Sequence, residues 1–289
     1  MILPIIRTPK YISPSSFITW ENCNYFTYLD KNSPHILKEQ LSTPAAAIGT
    51  VFDIVVKSYL CTKYNWSLDH EKIWDGLVLG KEDHHIIEDA VYLAKLYIKL
   101  GIINDIRWKT VDFSASGTHN GVPIFGYPDA ETEHGAFDWK TTGYSSAYTV
   151  SPKQGYTRCW NLSTGRIYKE KHHRHGEPFH TIDRSWAIQM LFYKWLVGAT
   201  SGGQIHQLIY QKNHILLAEL DIVLDPQFEW EIEQKLQMMW EQVNGAEVEL
   251  EPPVPSEQTC LKYNQLCKGA EHCGFFTKWW TENHSSEQV

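Results

Sequence analysis

The sequence predicts one α/β domain, with a central mixed sheet flanked by helices. Three observations predict it: helical apolar spacing through the first hundred residues, strand-like alternation from Asp105 to Thr141, and a helix, two strands and a helix between Ile182 and Val243. The chain has 289 residues, 43% of them hydrophobic and 13% aromatic, which is enough apolar material for one large core.

Taken in order, Ser13-Pro14-Ser15-Ser16 reads as a helix start. The segment Phe17 to Leu29, with Trp20, Cys23, Tyr25, Phe26 and Leu29 at partly helical spacing, predicts a short first helix. After Pro44 the run AAAIGTVFDIVVKSYL predicts a second, and Asp83 to Leu100 predicts another that stops at Gly101. The runs IRWKTVDFSA, VPIFGYPDAE and GAFDWKTT, separated by THNG and TEHG, predict a small antiparallel meander. A helix over Ile182 to Val197, strands over Gln204 to Tyr210 and Ile215 to Val223, and a helix over Gln227 to Val243 follow. Glu247 to Glu257, rich in Glu and Pro, reads as an extended connector to a cysteine-bearing end, and residues 281–289 as a disordered tail. No repeat appears, and a single domain spanning 1–289 is expected, with 1–43 and 247–280 as its cysteine-bearing part.

Charge narrows the function classes. Lys and Arg total 26 against 34 Asp and Glu, a net charge of -8, which argues against a protein that coats nucleic acid with its whole surface. Any such contact must be a local patch. No apolar run approaches the roughly 20 residues of a membrane span, and the start MILPIIRTPK lacks the features of a signal peptide, so a cytoplasmic protein with no membrane partner is expected. The phosphate-binding pattern G-x-x-x-x-G-K-[ST] is absent, so any DNA unwinding would need a partner.

Tyr127-Pro128-Asp129-Ala130-Glu131 and Phe137-Asp138-Trp139-Lys140 predict a hairpin turning between Glu133 and His134. That register sets Asp129 opposite Asp138, and side-chain alternation puts Lys140 on the face of Asp138 and Trp139 on the other. Opposed carboxylates destabilise a hairpin unless something neutralises them, which a Mg²⁺ or Mn²⁺ ion would do. The plainer reading is three solvent-facing charges, with Lys140 paired to one acid.

The order Gly49-Thr50-Val51-Phe52-Asp53, Gly126-Tyr127-Pro128-Asp129, Asp138-Trp139-Lys140, then Gln189 and Tyr193 resembles the RecB-like PD-(D/E)XK nucleases over most of the chain. The resemblance implies a restriction-endonuclease-like core. It also implies catalytic roles for Asp129, Asp138, Lys140, Gln189 and Tyr193, and Mg²⁺ or Mn²⁺ held by Asp129, Asp138, the Trp139 carbonyl and Asp53. Asp53 stands where many relatives carry a histidine. It is either an oxygen ligand in a site suited to Mg²⁺ or a surface residue.

Cys260, Cys267 and Cys273 crowd one short polar stretch, a pattern more typical of metal ligands than of core filling. The chain resembles the iron-sulfur branch of the same family, which implies that these three and Cys23 bind a 4Fe–4S cluster joining the chain ends. A structural Zn²⁺ site would use the same four residues. Cys61 and Cys159 have no spacing partner and are assigned to burial.

Between Lys153 and His175 lie Lys153, Arg158, Arg166, Lys169, Lys171 and Arg174 against the single acid Glu170, together with Trp160. Cations mixed with aromatics suit phosphate contact and base stacking, and a solvated loop is the alternative. The resemblance therefore implies a metal-dependent deoxyribonuclease, an exonuclease acting on single-stranded DNA or free DNA ends in recombination, repair or phage/CRISPR DNA processing, with a helicase or recombination protein as a partner. The competing class is a non-catalytic nucleic-acid-binding or assembly module that retains the fold.

Overall fold

The computed structural model describes residues 2–4, 10–27, 44–67, 84–142, 158–170, 183–211, 214–245, 247–249, 255, 260–262, 265–267 and 273–284. They fall into two compact units: Met1–Gln40, Thr118–Ile124 and Trp230–Val289 form one, and Leu41–Gly117 with Phe125–Glu229 forms the other. Among the described residues no helix is long and apolar enough to cross a membrane.

The first unit gathers both ends of the sequence. Strand β1 (Ile2–Pro4) pairs antiparallel with β11 (Glu247–Glu249), inside the stretch expected to be a plain connector. Helix α1 (Pro14–Asn22) begins as the SPSS motif predicts, Ser13 and Ser16 capping each other's backbone. It stops at Asn22 rather than Leu29, and a further helical turn covers 24–27. Trp20 Nε1 donates to Gln242 Oε1 at 2.9 Å from helix α5 (Pro226–Asn244), and Lys235 pairs with Glu21 at 2.8 Å. The short hairpin of β12 (Leu261–Lys262) and β13 (Gln265–Leu266) precedes helix α6 (Gly274–His284), whose Phe275 meets Tyr25 edge-on at 6.0 Å. The expected disorder from 281 is thus corrected: α6 buries Phe276 and carries the chain in helix to His284. Residues 285–289 lie outside the described residues.

The second unit is the α/β layer structure. Helices α2 (Pro44–Tyr64), α3 (His84–Leu100) and α4 (Arg184–Val197) accompany strands β2 (Trp108–Val111), β5 (Ala130–Thr132), β6 (Gly135–Thr142), β7 (Arg158–Asn161), β8 (Arg166–Glu170), β9 (Gln204–Gln211) and β10 (His214–Asp221). Their order in one seven-stranded sheet is β2-β5-β6-β9-β10-β7-β8. Only the β6–β9 pairing is parallel, so the sheet is mixed. Alternation along the central strands sorts the core. Phe137, Trp139, Leu208 and Leu217 pack with Phe52, Leu60, Leu93 and Tyr97 of α2 and α3, while Ala136, Ile205, Ile209 and Leu216 pack with Met190 and Tyr193 of α4.

The meander needs correction. Strands β3 (Ala115–His119) and β4 (Val122–Gly126), joined by the THNG turn, form a separate two-stranded sheet, and β2 pairs directly with β5. The sequence VPIFG alternates like a sheet strand, but its partner is its own hairpin.

Trp139 Nε1 donates to the Tyr97 hydroxyl at 3.1 Å, and Tyr97 lies 2.6 Å from His206 Nδ1, a buried relay that fixes the centre of β6 against α3 and β9. Burial lowers the His206 pKa to about 3, even though Glu219 Oε1 lies 3.7 Å from its Nε2. The unfolded histidine takes a proton near 6.5 and the folded one does not, so stability is intact above about 6.5 and declines as pH falls from there toward 3. Denaturant titrations should show this contribution reaching about 2 kcal/mol at pH 5, as the difference between the wild-type and His206→Gln pH curves. Parallel curves would refute it.

Candidate active site

The eight-residue strand β6 fixes the first two groups. Its alternation turns Phe137 and Trp139 into the core and leaves Asp138 and Lys140 together on the other face, Lys140 Nζ lying 2.5 Å from Asp138 Oδ2. The β5–β6 register, Ala130 with Phe137 and Thr132 with Gly135, continues to set Asp129 opposite Asp138. The two carboxyl groups share a hydrogen bond, and the Trp139 N–H donates to Asp129 Oδ2 at 3.1 Å.

Helix α4 supplies the next shell of contacts. Lys140 Nζ donates to Gln189 Oε1 at 2.7 Å, Gln189 Nε2 donates to the Tyr193 hydroxyl at 2.8 Å, and that hydroxyl donates to the Tyr127 carbonyl at 2.9 Å. One helical turn therefore ties the lysine to the segment carrying Asp129. Gly126 makes the approach possible, since a Cβ there would stand 3.1 Å from Leu196 and Tyr193 side-chain atoms. Tyr193→Phe breaks the last link, a neutral hydrogen bond of the kind that contributes about 0.5 to 1.5 kcal/mol. Any metal-dependent turnover at this site should fall roughly 2- to 10-fold with metal affinity unchanged. A variant as active as wild type would show the relay to be dispensable.

Helix α2 contributes a face built at four-residue intervals, Gly49, Asp53 and Lys57. A Cβ on Gly49 would lie 2.7 Å from Thr141 Oγ1, so glycine lets this face press onto β6. Asp53, expected either as a metal ligand or as a surface residue, gives its Oδ2 to Lys57 at 2.6 Å, and its buried Oδ1 has no hydrogen-bond partner. Lys57 also reaches Asp129 Oδ1 at 2.9 Å and Asp112 Oδ1 at 3.3 Å. Sequence reasoning missed both Lys57 and Asp112. The i, i+4 spacing from Asp53 could have revealed Lys57. Asp112 carries no such signal, because it enters the site through a left-handed backbone with φ 49, its N–H bonded to the Asp129 carbonyl at 2.8 Å.

The acids divide by their surroundings. Burial pushes Asp138 up to about 7, against the pull of Lys140 and with the Asp129 charge adding to the rise. Asp129 is held below the usual range because Lys57 and Lys140 outweigh its burial. Burial and the Asp129 charge raise Asp53 well above its ordinary value. Lys57 and Lys140 are raised because their carboxylates outweigh desolvation. The pair Asp129–Asp138 thus keeps one proton near neutrality, on Asp138. Among the described residues no three His, Cys, Asp or Glu side chains form a ready metal site. The facing carboxyls still suit a hard divalent ion, since each oxygen of Asp129 that accepts one hydrogen bond retains a lone pair.

No family model and no curated protein sequence matches the chain. Among solved structures, an exonuclease candidate from Eubacterium rectale is similar over 81% of this chain and 80% of its own, with 11% identity and a TM-score of 0.48. A protein designated SSO0001 is similar over 78% of this chain and 85% of its own, with 12% identity and a TM-score of 0.26.

The other expected residues are placed as follows. Burial raises the Cys23 thiol, and the charges of Cys267, Cys273 and Cys260 raise it further, so the four are electrostatic neighbours in the first unit. None of the four is in a disulfide. Cys61 is buried, as expected. Arg158, Trp160, Arg166 and Lys169 lie in the β7–β8 hairpin, with β8 at the sheet edge, while Lys153, Lys171 and Arg174 fall outside the described residues. Arg166 is exposed. Trp160, expected as a stacking surface, packs against the core, and its Nε1 donates to Glu219 Oε2 at 2.9 Å.

Proposed function

We propose that the chain is a metal-dependent deoxyribonuclease that hydrolyses phosphodiester bonds, acting from DNA ends. The observation that carries this reading is the convergence of Asp129, Asp138 and Lys140 on one hairpin face, with Lys140 held by Gln189 and Tyr193. Asp129 and Asp138 would hold Mg²⁺ or Mn²⁺, which when bound polarises a phosphate oxygen and lowers the pKa of an attacking water. Lys140 has three N–H donors. Asp138 and Gln189 engage two, which leaves one for charge developing on the phosphate. Arg158, Arg166 and Lys169, with Lys153, Lys171 and Arg174, are proposed to contact the DNA backbone. That contact would be local and salt-sensitive in a chain of net charge -8.

We also propose that Cys23, Cys260, Cys267 and Cys273 hold a 4Fe–4S cluster, with Zn²⁺ as the rival. Their shared electrostatic neighbourhood supports the ligand set. Iron with brown colour in anaerobically purified protein supports the cluster, and colourless protein with zinc supports the rival.

Metal binding must displace the proton on Asp138, whose pKa stands at about 7. Mn²⁺ affinity should therefore fall roughly tenfold per pH unit below about 7 and level off above it, in binding titrations from pH 5.5 to 8.5. A flat profile would contradict the ligand role of Asp138.

Incubation of linear and covalently closed circular DNA with Mg²⁺ or Mn²⁺ tests the reading. Degradation of linear DNA alone is expected. Cleavage of circles would replace the exonuclease reading with an endonuclease. Lys57 among the carboxylates favours one second reading, a non-catalytic DNA-binding module whose own cation replaces the metal, for which binding without any cleavage is expected.

A further inference from the structure

We propose that Lys57 is a built-in cation that takes the place of a second metal ion, so that the site binds one divalent ion, between Asp129 and Asp138. This inference rests on the nuclease reading above and specifies its metal requirement.

Geometry comes first. The Lys57 side chain is 5% exposed, and its ammonium lies within 3.3 Å of three carboxylates from three separate segments: Asp53 of α2, Asp112 after β2, and Asp129 before β5. A cation that gathers carboxylates from separate elements does the structural work a metal ion would otherwise do. Asp112 is held there by a left-handed backbone conformation that costs energy for a residue other than glycine, and its N–H bonds to the Asp129 carbonyl. The same backbone that carries Asp129 thus also delivers a carboxylate to the lysine.

Charge balance agrees. With the Asp138 proton displaced by the bound ion and Asp53 ionised in its pair with Lys57, the four carboxylates of Asp53, Asp112, Asp129 and Asp138 face the ammonium groups of Lys57 and Lys140, which leaves two negative charges. One divalent ion neutralises them, whereas two would leave the cleft positive before any phosphate arrived. The ion pairs also divide the site in space. Lys57 takes the Asp53–Asp112 side, and Lys140 stands at Asp138 on the other. Asp53 is then a positioning residue for Lys57 rather than a metal ligand.

The test counts bound Mn²⁺ by calorimetric titration and by low-temperature electron paramagnetic resonance on the full chain. Wild type is expected to bind one Mn²⁺, lost in Asp138→Asn, with no manganese–manganese coupling. Lys57→Met frees three carboxylates and is expected to bind a second ion, with coupled-pair lines in the spectrum. Lys57→Arg keeps the charge and is expected to bind one. Where Lys57→Met folds poorly, Mn²⁺ should raise its melting temperature more than it raises that of wild type. Two ions in wild type, or one ion in a folded Lys57→Met, overturns the inference and leaves the nuclease reading standing. No ion in wild type removes the metal site itself, and with it both readings.

Discussion

Asp138→Asn is expected to abolish metal-dependent DNA hydrolysis while leaving the fold at least as stable as wild type. The carboxyl group is 3% exposed, faces Asp129 across the hairpin, and is pushed up to about 7 by burial. Asparagine has nearly the same shape and replaces a buried acid that the metal-free fold keeps protonated near neutrality. It cannot replace a carboxylate in holding a hard divalent ion. Metal-assisted charge stabilisation is worth several kcal/mol, and each 1.4 kcal/mol is a factor of ten, so turnover should fall at least about 10³-fold. Thermal melting should show no loss of stability, and Mn²⁺ should no longer raise the melting temperature. Retention of activity would place the metal elsewhere.

Lys140→Ala is the second large effect, and its signature is different. The lysine sits between Asp138 and Gln189 and, as a cation, is not among the proposed ligands of the ion. Removing one preorganised donor of positive charge from the reacting phosphate costs about 10²- to 10³-fold in turnover. The fall should appear in kcat with little change in KM, because the interaction strengthens as charge develops in the transition state. Mn²⁺ binding should persist and should tighten modestly, since a competing cation has gone. A variant that loses metal binding together with activity would reassign Lys140 to structure.

How much of this was legible in the sequence depends on whether a signal is local. Period-two alternation in GAFDWKTT and the short TEHG turn fix which residues share a face, and the Asp129–Asp138 register follows from them. Gln189 and Tyr193 are legible as a helical pair, but that they form a relay through Lys140 to the Tyr127 carbonyl depends on tertiary docking made possible by Gly126. Lys57 was legible in principle, four residues beyond Asp53 on the same helical face. Asp112 was not, because a left-handed turn at the end of β2 leaves no pattern in the residue types around it. The same distinction explains the edges of the fold. Strands β7 and β8 lie in a basic stretch that reads as loop, and only pairing with β10 makes a sheet edge of it. Helix α6 follows a cysteine-rich stretch whose composition masks the helical spacing of Phe275, Phe276 and Trp279.

Asp129, Asp138 and Lys140 are proposed to form a phosphodiester-cleaving centre. The most direct test is digestion of 5′- and 3′-end-labelled linear DNA, single- and double-stranded, by anaerobically purified wild type and Asp138→Asn, each with Mn²⁺, with Mg²⁺ and with chelator. Stepwise shortening is expected from wild type with either metal, none with chelator, and none from the variant under any condition. Equal cleavage by wild type and variant, or none by metal-supplied wild type, would contradict it.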